Sequence, residues 1–373
     1  YEYGDWKNLH GKDLKKVIVA RPSDIYRARK HWSKTYEADV PFHNRYCVDE
    51  LSELKEYEMR KWYWDMEWVN NDPEHGDAIT CISIYDTYIN QYKVLTWFPD
   101  NPIHSFNDVM IHNNEKEMLQ HFIDLIEIQD PDMLIAWFGL KFDLPKLIHR
   151  MHHNGINPRR LSPYREVKGV KHNEITEKVD NYSPVSQPIR GRITLNLDLA
   201  FERQWNDSQR GTLPSLALDY VSETVLGTKK LVSEKFPDKN EFFKRGWLED
   251  TENYLEYARV DVELLYRIDE EMGLSEGILA LQRLLIAPFD ACFYASNMGS
   301  IYFMRNADWK APTGDKSSIG ETYDGALIYD PLTEGTNGLH LGVAAFDYAG
   351  LYPSMMLARN ISFETISPTK TEF

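Results

Sequence analysis

The 373-residue sequence predicts an α/β chain of the mixed, α+β kind, and three observations carry that prediction. Three β-like segments, 61–69, 78–85 and 93–98, follow one another, with Asn71-Asp72-Pro73 and His75-Gly76 supplying turn chemistry between the first two. That pattern reads as an antiparallel meander. The period then changes, because Met118, Leu119, Phe122, Leu125 and Ile126 fall at helical spacing between Glu115 and Asp130. A buried strand over 133–138, bounded by Asp130-Pro131-Asp132, comes next. Strands, a helix and a further strand make a mixed sheet with a helix packed on it.

Composition narrows the setting. A chain of this length is long enough for two or three domains, each with its own core. No run of about 18 apolar residues occurs, so no membrane span is expected. The opening Tyr1-Glu2-Tyr3-Gly4 lacks both an initiator Met and an apolar signal region, which suggests a trimmed fragment without a secretory leader. Cys47, Cys81 and Cys292 are odd in number and far apart, fitting neither a disulfide framework nor a zinc site. An intracellular, cytoplasmic protein is the expectation.

The net charge of −16 argues against a general polyanion binder, since phosphate contacts need Lys and Arg. Charge is uneven, however. From Lys141 to Arg192 there are eleven Lys/Arg against five Asp/Glu, a local balance of +6 that leaves −22 elsewhere. Either a solvated loop or one restricted track for a charged partner accounts for it. Residues 160–192, polar and rich in Gly, Pro, Asn and Ser, read as a protruding loop or hairpin.

Within the first strand, Trp62, Trp64, Met66 and Trp68 should face one way while Asp65 and Glu67 face the other. Taken alone, such a pair of acids is a solvated strand face or a site that a divalent cation neutralises. Asp143 opens a helix running to about Asn154, with Pro145 in its first turn. It is a helix N-cap, or an acid at the carboxyl edge of the sheet where ligands of α/β folds gather. Residues 195–199 look like another strand and Ser215–Val225 like a helix. Thr251–Met272 is the clearest helix, with an apolar stripe of Tyr254, Tyr257, Ala258, Leu265 and Ile268 that also contains Asp261. A carboxylate in that stripe with no basic residue at i±3 or i±4 needs a metal or hydrogen bonds. Asp65, Glu67, Asp143 and Asp261 together suit two divalent ions about 4 Å apart, with Tyr257 placed to orient a water.

These residues resemble a known family. Asp65-x-Glu67, Phe142-Asp143-x-Pro145 and Tyr257-x-x-x-Asp261 are similar to the three exonuclease motifs of family B DNA polymerases. The resemblance implies a ribonuclease H-like proofreading domain that removes nucleotides from a 3′ end with two Mg²⁺ or Mn²⁺. It makes Asp65, Glu67, Asp143 and Asp261 the metal ligands and Tyr257 the water-positioning residue. One departure is Phe138, which stands where the family's second motif usually has Asn, so altered contacts to the strand are expected. Residues 343–354 resemble polymerase motif A, with Gly350 where Ser is usual. A buried strand should deliver Asp347 there, ahead of a helix over 353–360. By resemblance Asp347 binds metal, and Tyr348, Leu351 and Tyr352 form the nucleotide pocket, Tyr352 packing on the incoming sugar. Tyr323-Asp324-Gly325-Ala326 resembles a motif that contacts template, and 160–192 lies where the family carries a strand-separating hairpin. Phe142, Tyr323, Gly325, Arg190 and Arg192 are the implied DNA contacts.

The expected organisation is an N-terminal β-rich domain, 1–58, completed by about 285–340, an exonuclease domain, 59–284, and the beginning of an α+β palm, 341–373. Fingers, thumb and the remaining palm motifs do not appear before Phe373, so the chain as given is expected to act as an exonuclease and not to polymerise. Two alternatives stand beside that reading. One is a split-polymerase subunit that binds a second chain carrying those parts. The other is a DNA-binding module with a degraded exonuclease.

Overall fold

The computed structural model describes residues 2–98, 107–207, 211, 213–231, 233–314, 340–344, 346–362 and 365. It divides into two compact units, 1–46 with 303–373, and 47–302. In the first, Glu2–Asn8 pairs antiparallel with Asp13–Lys16 and parallel with Trp309–Lys310. Thr35 Oγ1 also donates to Thr313 Oγ1 at 2.9 Å, so the unit is built from two distant stretches of chain.

The second unit holds a six-stranded sheet. Its strands are β1 (Lys61–Trp68), β2 (Ile79–Asp86), β3 (Gln91–Trp97), β4 (Val109–His112), β5 (Met133–Ala136) and β6 (Ile193–Asn196), in the order β6-β5-β1-β2-β3-β4. The β1-β2-β3 meander is antiparallel, while β5 and β6 run parallel to β1. Helix α1 (Glu115–Gln129) starts on an Asn114 side chain that accepts from the Glu117 amide. It covers one face of the sheet, where Phe122 meets the Trp62 and Trp64 rings at 6.4 and 6.1 Å. Helix α6 (Thr251–Met272) covers the other face and ends on Gly273, whose φ of +62° suits glycine. Here Tyr63 donates to Asp269 at 2.5 Å, and Thr80 and Tyr254 share a hydrogen bond of 2.6 Å. The alternation along β1 therefore sends Trp62, Trp64 and Met66 to α1, and Tyr63, Asp65 and Glu67 to α6. Trp68, expected on the Trp62 face, follows a break in register after Glu67 and is only partly buried.

Between α1 and α6 the chain adds α2 (Asp143–His153), α3 (Leu197–Asp207), α4 (Leu218–Leu226) and α5 (Lys239–Glu249). The strand expected over 195–199 stops at Asn196, and α3 takes over at Leu197. Asp143 is the first residue inside α2 and Phe142 its cap, so Asp143 is not the N-cap. No helix among the described residues is long and apolar enough to cross a membrane.

Two expectations change. Residues 160–192 are anchored to the body of the unit: Val170, Val179, Tyr182 and Ile189 are buried in the main core. The expected hairpin is present in part, as a two-rung pair, Val170–Lys171 with Glu174–Ile175, inside an antiparallel bridge between Val167 and Ile189. Arg192, expected to touch DNA, is 6% exposed and donates to the carbonyls of Leu161 at 2.9 Å and Pro131 at 2.5 Å, with Asp130 at 2.8 Å. It ties the segment to the sheet. The second change concerns motif A. No strand forms among the described residues of 343–349, and Val343 and Phe346 are 73% and 94% exposed. An apolar run needs a neighbouring strand to satisfy its backbone groups, and none pairs with it among the described residues. Asp347 and Tyr348 are exposed, and Leu351 and Tyr352 lie on the following helix, Leu351–Ala358, also exposed. Tyr323 and Gly325 lie outside the described residues.

Two consequences can be measured. Arg192→Met leaves buried carbonyls without a donor and should lower unfolding stability by about 3 kcal/mol, read as a shift in urea midpoint. Phe138 has a φ of +56°, a left-handed backbone that Asn adopts more readily than Phe. Phe138→Asn should therefore cost less than about 1 kcal/mol in the same assay, where truncating a buried Phe ordinarily costs ~3 kcal/mol or more.

Candidate active site

The carboxyl ends of β1 and β5 and one face of α6 meet at a cluster of acids. Oxygens of Asp65, Glu67 and Asp261 lie within 4.8 Å of one another. Asp143, at the first turn of α2, falls outside that limit but is near enough for the Asp65 charge to raise its pKa. The structure thus gathers all four acids singled out in the sequence at one end of the sheet.

Burial is the main force on their protonation. It pushes Asp65 up to about 7, reinforced by the Asp261 charge and opposed by Lys230. Glu67 is driven well above its ordinary value by burial and then by Asp65 and Asp261. Asp143 is raised by burial and then by Asp65. Asp261 is raised by burial and pulled back by Lys230. Desolvated like charges that resist ionising together are what a cation-binding site looks like before its cation is counted.

Lys230 is the residue that sequence reasoning missed. It comes from the loop between α4 and α5, and its Nζ lies 2.5 Å from Asp261 Oδ2 and 3.2 Å from Tyr257 Oη. Burial would discharge it, yet Asp261, Tyr257 and Asp65 together raise its pKa, so it stays an ammonium. Tyr257 is 6% exposed, held between the Lys230 ammonium and the edges of Phe242 and Phe243, whose centroids are 5.6 and 5.7 Å away. No periodicity marks Lys230. Its only sequence signal is Gly227-Thr228-Lys229-Lys230, a basic pair after a helix-ending glycine.

Asp143 is aimed by the loop before it. Asp198 accepts from the Phe138 amide at 2.9 Å and Asn196 from the Leu140 amide at 3.0 Å. Burial pushes Asp198 up to about 6 although the backbone amides of Phe138, Asp198 and Leu199 favour its ionised form. Gly139 allows the close turn, because a Cβ there would stand 2.5 Å from the Ala136 Cβ and 3.8 Å from Asp143 Oδ2. Asn196 and Asp198 alternate with Leu195, Leu197 and Leu199, a pattern of polar residues in an apolar run that could have flagged them. Phe142 is 47% exposed beside Asp143, with the Phe138 ring at 6.3 Å and Lys141 Nζ 4.9 Å from its own. Arg190 is exposed and pairs with Glu166 at 3.1 Å.

The donor set fits a hard divalent cation. All four acids offer oxygen, and Asp261 Oδ1 is buried without a hydrogen bond. One ammonium against four carboxylates leaves a formal balance of −3 when all are ionised.

Comparison with known proteins agrees with this geometry. Residues 58–206 match the model of the DNA polymerase family B exonuclease domain, and residues 294–372 match the model of DNA polymerase family B. A DNA polymerase of Thermococcus litoralis is 28% identical over 388 residues, covering 96% of this chain and 21% of that protein. DNA polymerases of Pyrococcus glycovorans and Desulfurococcus sp. (strain Tok) are 26% and 27% identical, covering 95% and 94% of this chain and 46% and 44% of theirs. The chain spans less than half the length of these relatives. With both models matched in order along it, the chain belongs to family B of the DNA polymerases, as the exonuclease domain and the start of the polymerase domain.

Proposed function

We propose that this chain is a 3′–5′ proofreading exonuclease that hydrolyses single-stranded DNA 3′ ends with two Mg²⁺ or Mn²⁺ ions. The observation that carries the reading is the convergence of Asp65, Glu67 and Asp261 within 4.8 Å beside Asp143. These four carboxylates would hold the ions, which when bound lower the pKa of water and stabilise charge on a leaving oxygen. Lys230 donates to Tyr257 Oη and fixes it, so that the tyrosine can orient the attacking water. Water adds to the terminal phosphorus, the P–O3′ bond breaks, and a nucleoside 5′-monophosphate leaves a strand ending in a 3′-hydroxyl. The exposed ring of Phe142 offers a stacking surface for the unpaired end.

The same reading assigns 59–284 as the exonuclease domain, 1–58 with about 285–340 as an N-terminal domain, and 341–373 as the start of a palm. Asp347 would there bind metal beside Tyr348, Leu351 and Tyr352, and polymerisation would need further carboxylates, fingers and thumb. Tyr323, Gly325 and Arg190 would contact DNA, and an intracellular setting follows from that substrate. A second reading, a subunit whose partner chain supplies those parts, is favoured by the exposed apolar helix Leu351–Ala358, where Leu357 is 84% and Tyr352 79% exposed.

Two measurements test the exonuclease. Labelled single-stranded DNA with Mg²⁺ should be shortened from its 3′ end, and Asp65→Ala/Glu67→Ala should slow this by roughly 10³-fold; equal rates in both proteins refute the assignment. The second uses heat. In the metal-free chain Asp65 titrates at 3.8 unfolded and about 7 folded, so stability should fall as pH rises from about 4 to 7. Cation binding needs the ionised acids, so the rise in Tm on adding Mn²⁺ should grow over that window and vanish in the double variant.

A further inference from the structure

The six Lys and Arg residues between Arg159 and Arg192 that face a shared hollow are not used by the acid site. They line a 740 Å³ cavity at the opposite end of the sheet, with only Asp132 and Glu166 as acids in its wall. Asp132 and Ile193 mark the amino-terminal edge of β5 and β6, in register with the start of β1 at Lys61. Asp65 lies four residues along β1, ~13 Å away at ~3.3 Å per residue. The cavity is therefore separate from the four carboxylates.

Its wall is built in two ways. Part of the charge is fixed and locally neutralised: Arg192 is bound to carbonyls and Asp130, Arg190 pairs with Glu166, and Arg165 pairs with Glu127. Lys168, Lys171 and Arg159 are the cations left available. Lys168 and Lys171 are exposed and make no ion pair among the described residues, Lys168 touching only the Ser186 hydroxyl at 3.3 Å. Arg159 spends its Nε on the Arg165 carbonyl and pairs with no carboxylate there. Met59, Ile193 and Phe289 supply an apolar floor. Cations above an apolar surface, in a volume ordinary for a ligand pocket, match a phosphate joined to a sugar and base.

We propose that this cavity is a second, non-catalytic site that binds nucleotide phosphate, either the backbone of a single strand or a free nucleoside phosphate, remote from the acid cluster. The basic segment thus serves as a seat on an otherwise acidic protein, which explains why its positive charge is concentrated there.

The test is fluorescence anisotropy of a labelled dodecathymidylate in EDTA, with the full chain and with Lys168→Glu/Lys171→Glu. Both side chains are exposed, so the variant should fold, and far-UV circular dichroism checks that it does. Binding should weaken at least about tenfold, and the slope of log affinity against log salt should fall by about two. Displacement by thymidine monophosphate identifies a free nucleotide as ligand, and displacement only by unlabelled oligonucleotide identifies strand backbone. Unchanged affinity in the charge-reversed variant, or no binding by the wild-type chain, overturns the proposal. Mn²⁺-dependent hydrolysis of thymidine 5′-(4-nitrophenyl phosphate), measured on the same proteins, should be equal in both. If it is absent from both, the exonuclease reading fails while the anisotropy result still judges the cavity.

Discussion

Mutual repulsion among desolvated carboxylates is the constraint around which the second unit is arranged. Asp65 and Glu67 emerge on one face of β1, and the helix that must cover that face brings Asp261 with it. Lys230 relieves part of this conflict, giving Asp261 a partner at 2.5 Å and Tyr257 a donor at 3.2 Å. Its single charge leaves the remainder for divalent cations. Packing follows from the same need: Tyr63 with Asp269, and Thr80 with Tyr254, lock α6 to the sheet on either side of the charged patch. The acids are thus fixed by neighbours that have no part in the chemistry.

The acids were legible because each obeys a local rule. Period-two alternation placed Asp65 and Glu67 together, period 3.6 placed Asp261 in a buried stripe, and a strand-to-helix junction placed Asp143 at the sheet's edge. The meander and α1 were legible for the same reason. Lys230 was not, because a loop residue reaches its partner 31 positions away through tertiary packing alone. Arg192 misled in the opposite sense. In sequence it is one more cation of a basic run, and only the fold shows that its guanidinium ends on carbonyls. The apolar run before Asp347 reads as a strand by composition, yet strand formation depends on a neighbour that composition does not supply.

Phe138 and Gly139 show how two adjacent positions carry different constraints. The left-handed backbone at Phe138 is a cost in local energy, met by two acceptors, Asp198 and Asn196, that hold the loop. The Phe138 side chain itself is accommodated there, half-buried. At Gly139 the limit is contact with Ala136, and no side chain fits. The direction of Asp143 rests on the second position, which is why an unusual residue at the first is compatible with an intact acid cluster.

The parallel strands β5, β1 and β6 begin beside the cationic cavity and end beside the carboxylates, so the sheet has an electrical direction as well as a chain direction. Opposite charge at the two ends of one sheet gives the unit a dipole along its parallel strands. Divalent cations held by the carboxylates would shrink that dipole, and chelating them would restore it.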